Sequence, residues 1–149
     1  MIGSTFVDPI VDFRKERITM KHETPSMDLW MKEAKAKDSS KQCGMYLFHN
    51  GVVRQTAKAM AREGATDTTD VKAMLFSYDQ EKVDQAVKRV LQMPGIFYAK
   101  VWLNEGELEV GDDIMLVLIG GDIRPRVIDA LQSLVGELKN ECVMEKEIF

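Results

Sequence analysis

Cysteine is scarce in this chain: 149 residues contain only Cys43 and Cys142. The two lie far apart, with no close Cys or His spacing around either, which excludes a disulfide scaffold and a structural zinc site. Such usage fits a reducing cytoplasm. Histidine is just as sparse, with only His22 and His49, and neither sits in a nucleophile motif, so no Ser-His-Asp arrangement can be built. Long apolar runs are missing as well. "IMLVLIGG" falls far short of the ~20 residues that a membrane-spanning helix needs. The opening "MIGSTFVDPIVDFRKERITM" has no apolar core ahead of a small-residue cleavage site. These absences predict a soluble chain with no membrane or targeting segment.

A continuous basic stripe is also lacking. The net charge of -4 comes from 24 acidic and 20 basic residues mixed along the chain, which excludes neutralisation of a nucleic-acid backbone as the main task. No glycine-lysine-serine phosphate loop and no dinucleotide fingerprint occur, and the acidic residues show no metal-ligand spacing. There is no internal repeat and no low-complexity segment.

What is there suffices for one folded unit. With 45% hydrophobic and 30% charged residues, a chain of this length can bury about two-thirds of its unfolded surface in a compact domain. "TPSMDLWMKEAKAKD" has Pro25 and Ser26 as a start signal, followed by Met27, Trp30, Met31 and Ala34 at helical spacing, which predicts a helix from about Met27 to Lys37. "GMYLFHNGVVRQ" predicts a strand that bends or bulges at Gly51, ahead of Arg54. The polar stretch "TAKAMAREGATDTTD" that follows reads as a mobile loop. "VKAMLFSYD" reads as a second strand and "QEKVDQAVKRVLQM" as a helix stopped by Pro94 and Gly95. "IFYAKVWLN" and "DIMLVLIGG" read as strands joined by "EGELEVGD", an exposed connection or a short extra hairpin. "RPRVIDALQSLVGELKNE" predicts a second long helix with Pro125 in its first turn, and "CVMEKEI" a final strand. The sum is an α+β domain: two long helices packed on a mainly antiparallel sheet. Residues 1–40 are expected to form an N-terminal extension with one helix packed on the main domain, which spans 41–149.

Several basic residues stand where chemistry could use them. Lys139 falls at the edge of the last helix's apolar stripe, with its stem against the core and its ammonium emerging beside it. Strand alternation sets Lys146 on the face of Cys142, Met144 and Ile148, with Glu145 and Glu147 on the other. A lysine on an apolar face needs a nearby anion. The alternatives are that Lys139 complements a helix C-terminus and that Lys146 guards an edge strand against aggregation. "GGDIRPRV" places Arg124 and Arg126 at a helix N-terminus, where free N–H groups, the dipole and a guanidinium suit a phosphate or carboxylate; otherwise Asp122 simply caps that helix. His49 and Arg54 flank the expected bulge, which can aim a side chain toward a site.

Taken together, "HNGVVRQ", "VWLNEGELEVGDDIMLVLIGGDIRPRVIDAL" and "ELKNECVMEKEI" resemble the large, catalytic subunit of molybdopterin synthase, the MoaE family, from about Gly44 to the end. The specific features are a Gly-x-Val-Arg segment at Gly51 to Arg54, a Gly-Glu-Leu-x-x-Gly-Asp segment at Gly106 to Asp112, and the Lys139 and Lys146 pair. The resemblance implies a MoaE-like α/β hammerhead fold and a homodimer, each half binding a small ubiquitin-like, MoaD-like sulfur-carrier subunit with a thiocarboxylated Gly-Gly tail. It implies transfer of two sulfurs to cyclic pyranopterin monophosphate, with no metal or dissociable cofactor for this step. Lys139 and Lys146 match catalytic lysines, and Arg54 and Arg124 match arginines that hold anionic substrate, with His49 beside them as a further binding candidate. At Ile123 the chain departs from the family's His-Arg pair. A non-catalytic relative that grips the ubiquitin-like tail or a phosphorylated ligand is the other reading.

Overall fold

The computed structural model describes residues 20–58 and 69–149. The first helix, α1 (Met27–Lys35), begins where the Ser26 hydroxyl accepts the N–H of Leu29 at 3.2 Å, so a side-chain oxygen satisfies one of the otherwise orphaned N–H groups of the first turn. It is two residues shorter than the spacing predicts, and a 3-10 turn (Asp38–Gln42) leads out of it. Most of the "TAKAMAREGATDTTD" stretch, and the first half of the N-terminal extension, lie outside the described residues.

Among the described residues six strands follow: β1 (Met45–Val52), β2 (Ala73–Tyr78), β3 (Ile96–Leu103), β4 (Gly106–Glu109), β5 (Asp113–Gly121) and β6 (Val143–Ile148). They form two antiparallel sheets of three strands, in the orders β1-β5-β3 and β4-β2-β6. Helix α2 (Gln80–Leu91) links β2 to β3, and α3 (Arg124–Glu137) links β5 to β6. Asp79 starts α2 by accepting the N–H of Lys82 at 3.3 Å. The domain is α+β, as expected.

The unbroken apolar run of β5 has a structural reason. Met115, Val117 and Ile119 face the main core beneath α2 and α3, while Leu116 and Leu118 face a second cluster with Trp30 and Ala34 of α1. A strand covered on both sides cannot alternate apolar with polar. The helices contribute Val83, Ala86 and Val90 from α2 and Val127, Ala130 and Leu134 from α3, each at helical spacing.

Two local features differ from the sequence reading. The "EGELEVGD" segment is not a separate hairpin: β4 pairs with β2, Met74 opposite Leu108 and Phe76 opposite Gly106. Only Leu108 of this segment carries a large buried side chain, and its partners are remote in sequence, so local pattern could not supply the pairing. The last helix also changes pitch, widening into a π-turn at Leu138–Cys142 before β6. Such widening is common where function requires a side chain to be re-aimed, and here it carries Lys139 while keeping Leu138 and Cys142 buried.

Candidate anion-binding cleft

The bulge predicted at Gly51 is present. The register of β1 against β5 shifts between Gly51 and Val52, so that Gly51 opposes Met115 and Val52 opposes Asp113. The chain leaves the sheet immediately afterwards, delivering Arg54. The Arg54 Nε donates to the carbonyl of Thr56 at 3.1 Å, which holds the guanidinium by one edge and leaves its terminal nitrogens without a partner among the described residues.

Arg54, Lys58 and Lys139 line one small cleft with Glu145 and Glu147; its walls are completed by Val52, Met74 and Ile114. The cavity is about 50 Å³, room for a few water molecules or the end of an extended peptide, and far too small to swallow a fused-ring ligand. Lys139 reaches it from the π-turn, as its boundary position predicts. Its ammonium lies 4.0 Å from the Glu145 carboxylate, beyond hydrogen-bond range, so among the described residues the donors of Lys139 remain available. Glu147 is tied down differently: its carboxylate accepts the backbone N–H of Lys58 at 3.0 Å.

His49 stands on the same side of β1 as Gly51. Its Nε2 is buried without a hydrogen-bond partner among the described residues, and a Cβ added at Gly51 would come within 3.6 Å of it. Burial first, and the positive charge of Lys139 second, push the His49 imidazole below its ordinary pKa of 6.5. The neutral ring is therefore the favoured form, with one nitrogen able to accept a proton.

Lys146 is placed elsewhere. Alternation along β6 holds, but the face shared by Met144 and Lys146 is the outward one, and Met144 is 75% exposed. Cross-strand partners confirm the orientation: Glu145 lies opposite the buried Phe76 and Glu147 opposite the buried Met74. The apolar character of Met144 points the wrong way here, and Cys142 belongs to the π-turn, so its burial says nothing of the strand's faces. Lys146 sits exposed on an edge strand, where a charge discourages strand addition.

Arg124 opens α3 at the far end from Lys139, roughly 20 Å away at helical rise. Asp122 does not cap this helix. It accepts the N–H of Ile123 at 2.7 Å and an Arg126 guanidinium N–H at 2.8 Å, while the N-cap position, Ile123, offers no side-chain acceptor. Arg126 is thus engaged and Arg124 is exposed. Sequence reasoning missed the two inward carboxylates and Lys58; the alternation of "VMEKEI" was the available signal for Glu145 and Glu147. No group of three His, Cys, Asp or Glu side chains suited to a metal occurs among the described residues. No described helix is long and apolar enough to cross a membrane.

The fold and the cleft together define an α+β domain that brings a bulge arginine and a helix-end lysine to one small cleft. The MoaE protein family matches residues 22–141, and the chain belongs to that family. The match begins earlier than the resemblance read from Gly44, taking in α1. Membership connects the chain with molybdopterin biosynthesis. Among solved structures, molybdopterin synthase from Staphylococcus aureus superposes with a TM-score of 0.65 at 16% identity, over 85% of this chain and 87% of that one. The molybdopterin biosynthesis MoaE protein from Burkholderia ambifaria gives 0.62 at 17% identity, over 85% and 79%. A complex of subunits 1 and 2 of molybdopterin-converting factor from Helicobacter pylori gives 0.58 at 13%, over 81% and 74%. Comparison with curated proteins gives no match.

Proposed function

We propose that this chain is the large subunit of a molybdopterin synthase: a sulfurtransferase that receives the thiocarboxylated C-terminus of a small ubiquitin-like, MoaD-like subunit and passes its sulfur to cyclic pyranopterin monophosphate. The observation that carries this reading is the meeting of Arg54 and Lys139, from remote segments, in one cleft sized for a peptide terminus. The two-subunit complex from Helicobacter pylori among the structural relatives supports a partner of that kind.

A thiocarboxylate is an anion, and attack at its carbonyl carbon builds further charge on oxygen and sulfur. Fixed cations that meet that charge lower the barrier. Lys139 stabilises the acyl intermediate, and the neutral His49 beside it binds substrate or takes up a proton released there. Arg54 holds an anionic group with its unengaged nitrogens. The bicyclic pterin lies at the mouth of the cleft, not inside it. Lys146 and Arg124 face away from the cleft of their own chain, so they serve the site from a second copy, in a homodimer.

The test is reconstitution: the chain, the thiocarboxylated partner and the pyranopterin are mixed and dithiolene product is sought. No product, under conditions where an authentic large subunit works, removes the enzymatic reading. One observation favours the alternative of a non-catalytic binding module: Glu145 and Glu147 offset much of the cleft's positive charge. That module predicts a tight complex with no product, and a Lys139→Ala effect on affinity alone.

A further inference from the structure

Glu145 is an odd residue to find in a cleft built for anions. Its side chain is only 18% exposed, on the inward face of β6 opposite Phe76. Among the described residues nothing donates a hydrogen bond to it; its one partner is the Lys139 ammonium at 4.0 Å. A carboxylate taken this far out of water needs compensation, and here a single charge supplies it across a gap. Glu147, by contrast, is satisfied by a backbone N–H at 3.0 Å. Glu145 therefore acts on whatever approaches Lys139 mainly through its charge.

We propose that Glu145 is a specificity residue that levels anion binding at Lys139, removing much of the advantage a doubly charged phosphate would otherwise hold over a singly charged carboxylate or thiocarboxylate. The filter rests on the sulfur-transfer reading for its purpose, since that reaction brings both kinds of anion to the same cleft. Lys139 attracts both. Coulomb energy scales with the product of charges, so the lysine alone favours a dianion twice as strongly as a monoanion and Glu145 opposes it twice as strongly; the carboxylate takes more binding from the phosphate than from the peptide end. The carboxylate thus narrows the lead of phosphate over the peptide end at the lysine.

Two small probes test the filter without any partner protein. The chain and its Glu145→Gln variant are titrated with acetate and, at about pH 8 where inorganic phosphate is a dianion, with phosphate, at constant ionic strength, following the shifts of the cleft's amide signals by NMR. The isosteric change keeps side-chain volume, and matching amide spectra away from the cleft establish that the variant is folded. If the variant binds acetate about threefold tighter, it should bind phosphate about ninefold tighter, the square of the first gain. Adding Lys139→Ala should abolish both gains, which places the anion at that lysine. Equal gains for the two probes, no gain for either, or gains that survive Lys139→Ala overturn the proposal. Because acetate and phosphate report on the cleft directly, a failed reconstitution with a failed filter and a failed reconstitution with an intact filter are distinct results.

Discussion

The side-chain oxygen of Asn104 accepts the backbone N–H of His22 at 2.7 Å, across 82 residues of sequence. The same oxygen accepts the N–H of Glu105 at 2.8 Å, and the Asn104 amide donates to the Asp113 carbonyl at 2.8 Å. His22 reinforces the junction through Nδ1, 3.1 Å from the Leu103 carbonyl. Asn104 is the buried polar side chain of the described core, and each of its side-chain functions is used.

Asn104→Ala strands two backbone donors and one acceptor in a buried setting. The expected cost is about 2–3 kcal/mol, read as a lower urea midpoint with an unchanged slope. The leading segment before α1 should show faster amide exchange than the rest of the fold, since His22 loses its anchor.

The proposed sharing of the site between two copies makes a prediction that single variants do not. Lys139 and Lys146 face opposite sides of one chain, so a mixed dimer of Lys139→Ala and Lys146→Ala protomers should contain one intact site. Each homodimeric variant should lose about a hundredfold in product formation, and the mixed dimer should recover to about half of wild type. No recovery would place both lysines in the site of the same chain, and a fully active Lys146→Ala homodimer would remove Lys146 from it.

His49 sets an acid limit. Its imidazole titrates below the ordinary 6.5 in the folded protein, so the unfolded chain binds more protons in the interval between the two values. Stability then rises with pH across that interval: it is complete above about 6.5 and is lost as pH falls toward the folded value. Urea midpoints measured from neutral to mildly acid pH should fall in wild type, and His49→Phe should remove that component of the slope.

Gly121 lies where β5 meets α3. A Cβ there would stand 2.6 Å from the Gly95 carbonyl oxygen and 2.7 Å from Val127 Cγ2, so backbone would have to move. Gly121→Ala should cost about 1–3 kcal/mol, measured by thermal unfolding, and should also shift the start of α3 and with it Arg124.

Much of this was legible in the sequence wherever the signal was local. The stripe Val127, Ala130 and Leu134 gives α3, Pro25 and Ser26 give the start of α1, and Gly51 gives the bulge that presents Arg54. What escaped depended on remote partners. Leu108 could not announce that its strand would join β2, nor could Met144 reveal that its face of β6 was the outer one. The inward carboxylates were visible as an alternation, but choosing the inner face required knowing that Phe76 and Met74 lie opposite them. The π-turn left no sequence mark, because Leu138 and Cys142 satisfy the apolar pattern with or without it.

The walls of the cleft come from different ladders. Val52 and Ile114 belong to the sheet of β1, β5 and β3, whereas Met74, Glu145 and Glu147 belong to that of β4, β2 and β6. Backbone hydrogen bonds outside the ladders clamp the two banks together: the Val71 N–H donates to the Gln55 carbonyl at 2.8 Å and the Gly111 N–H to the Val53 carbonyl at 2.9 Å. With the Lys58 N–H also held on the Glu147 carboxylate at 3.0 Å, the width of the slot beside Arg54 is set before anything enters, and a thread must match it.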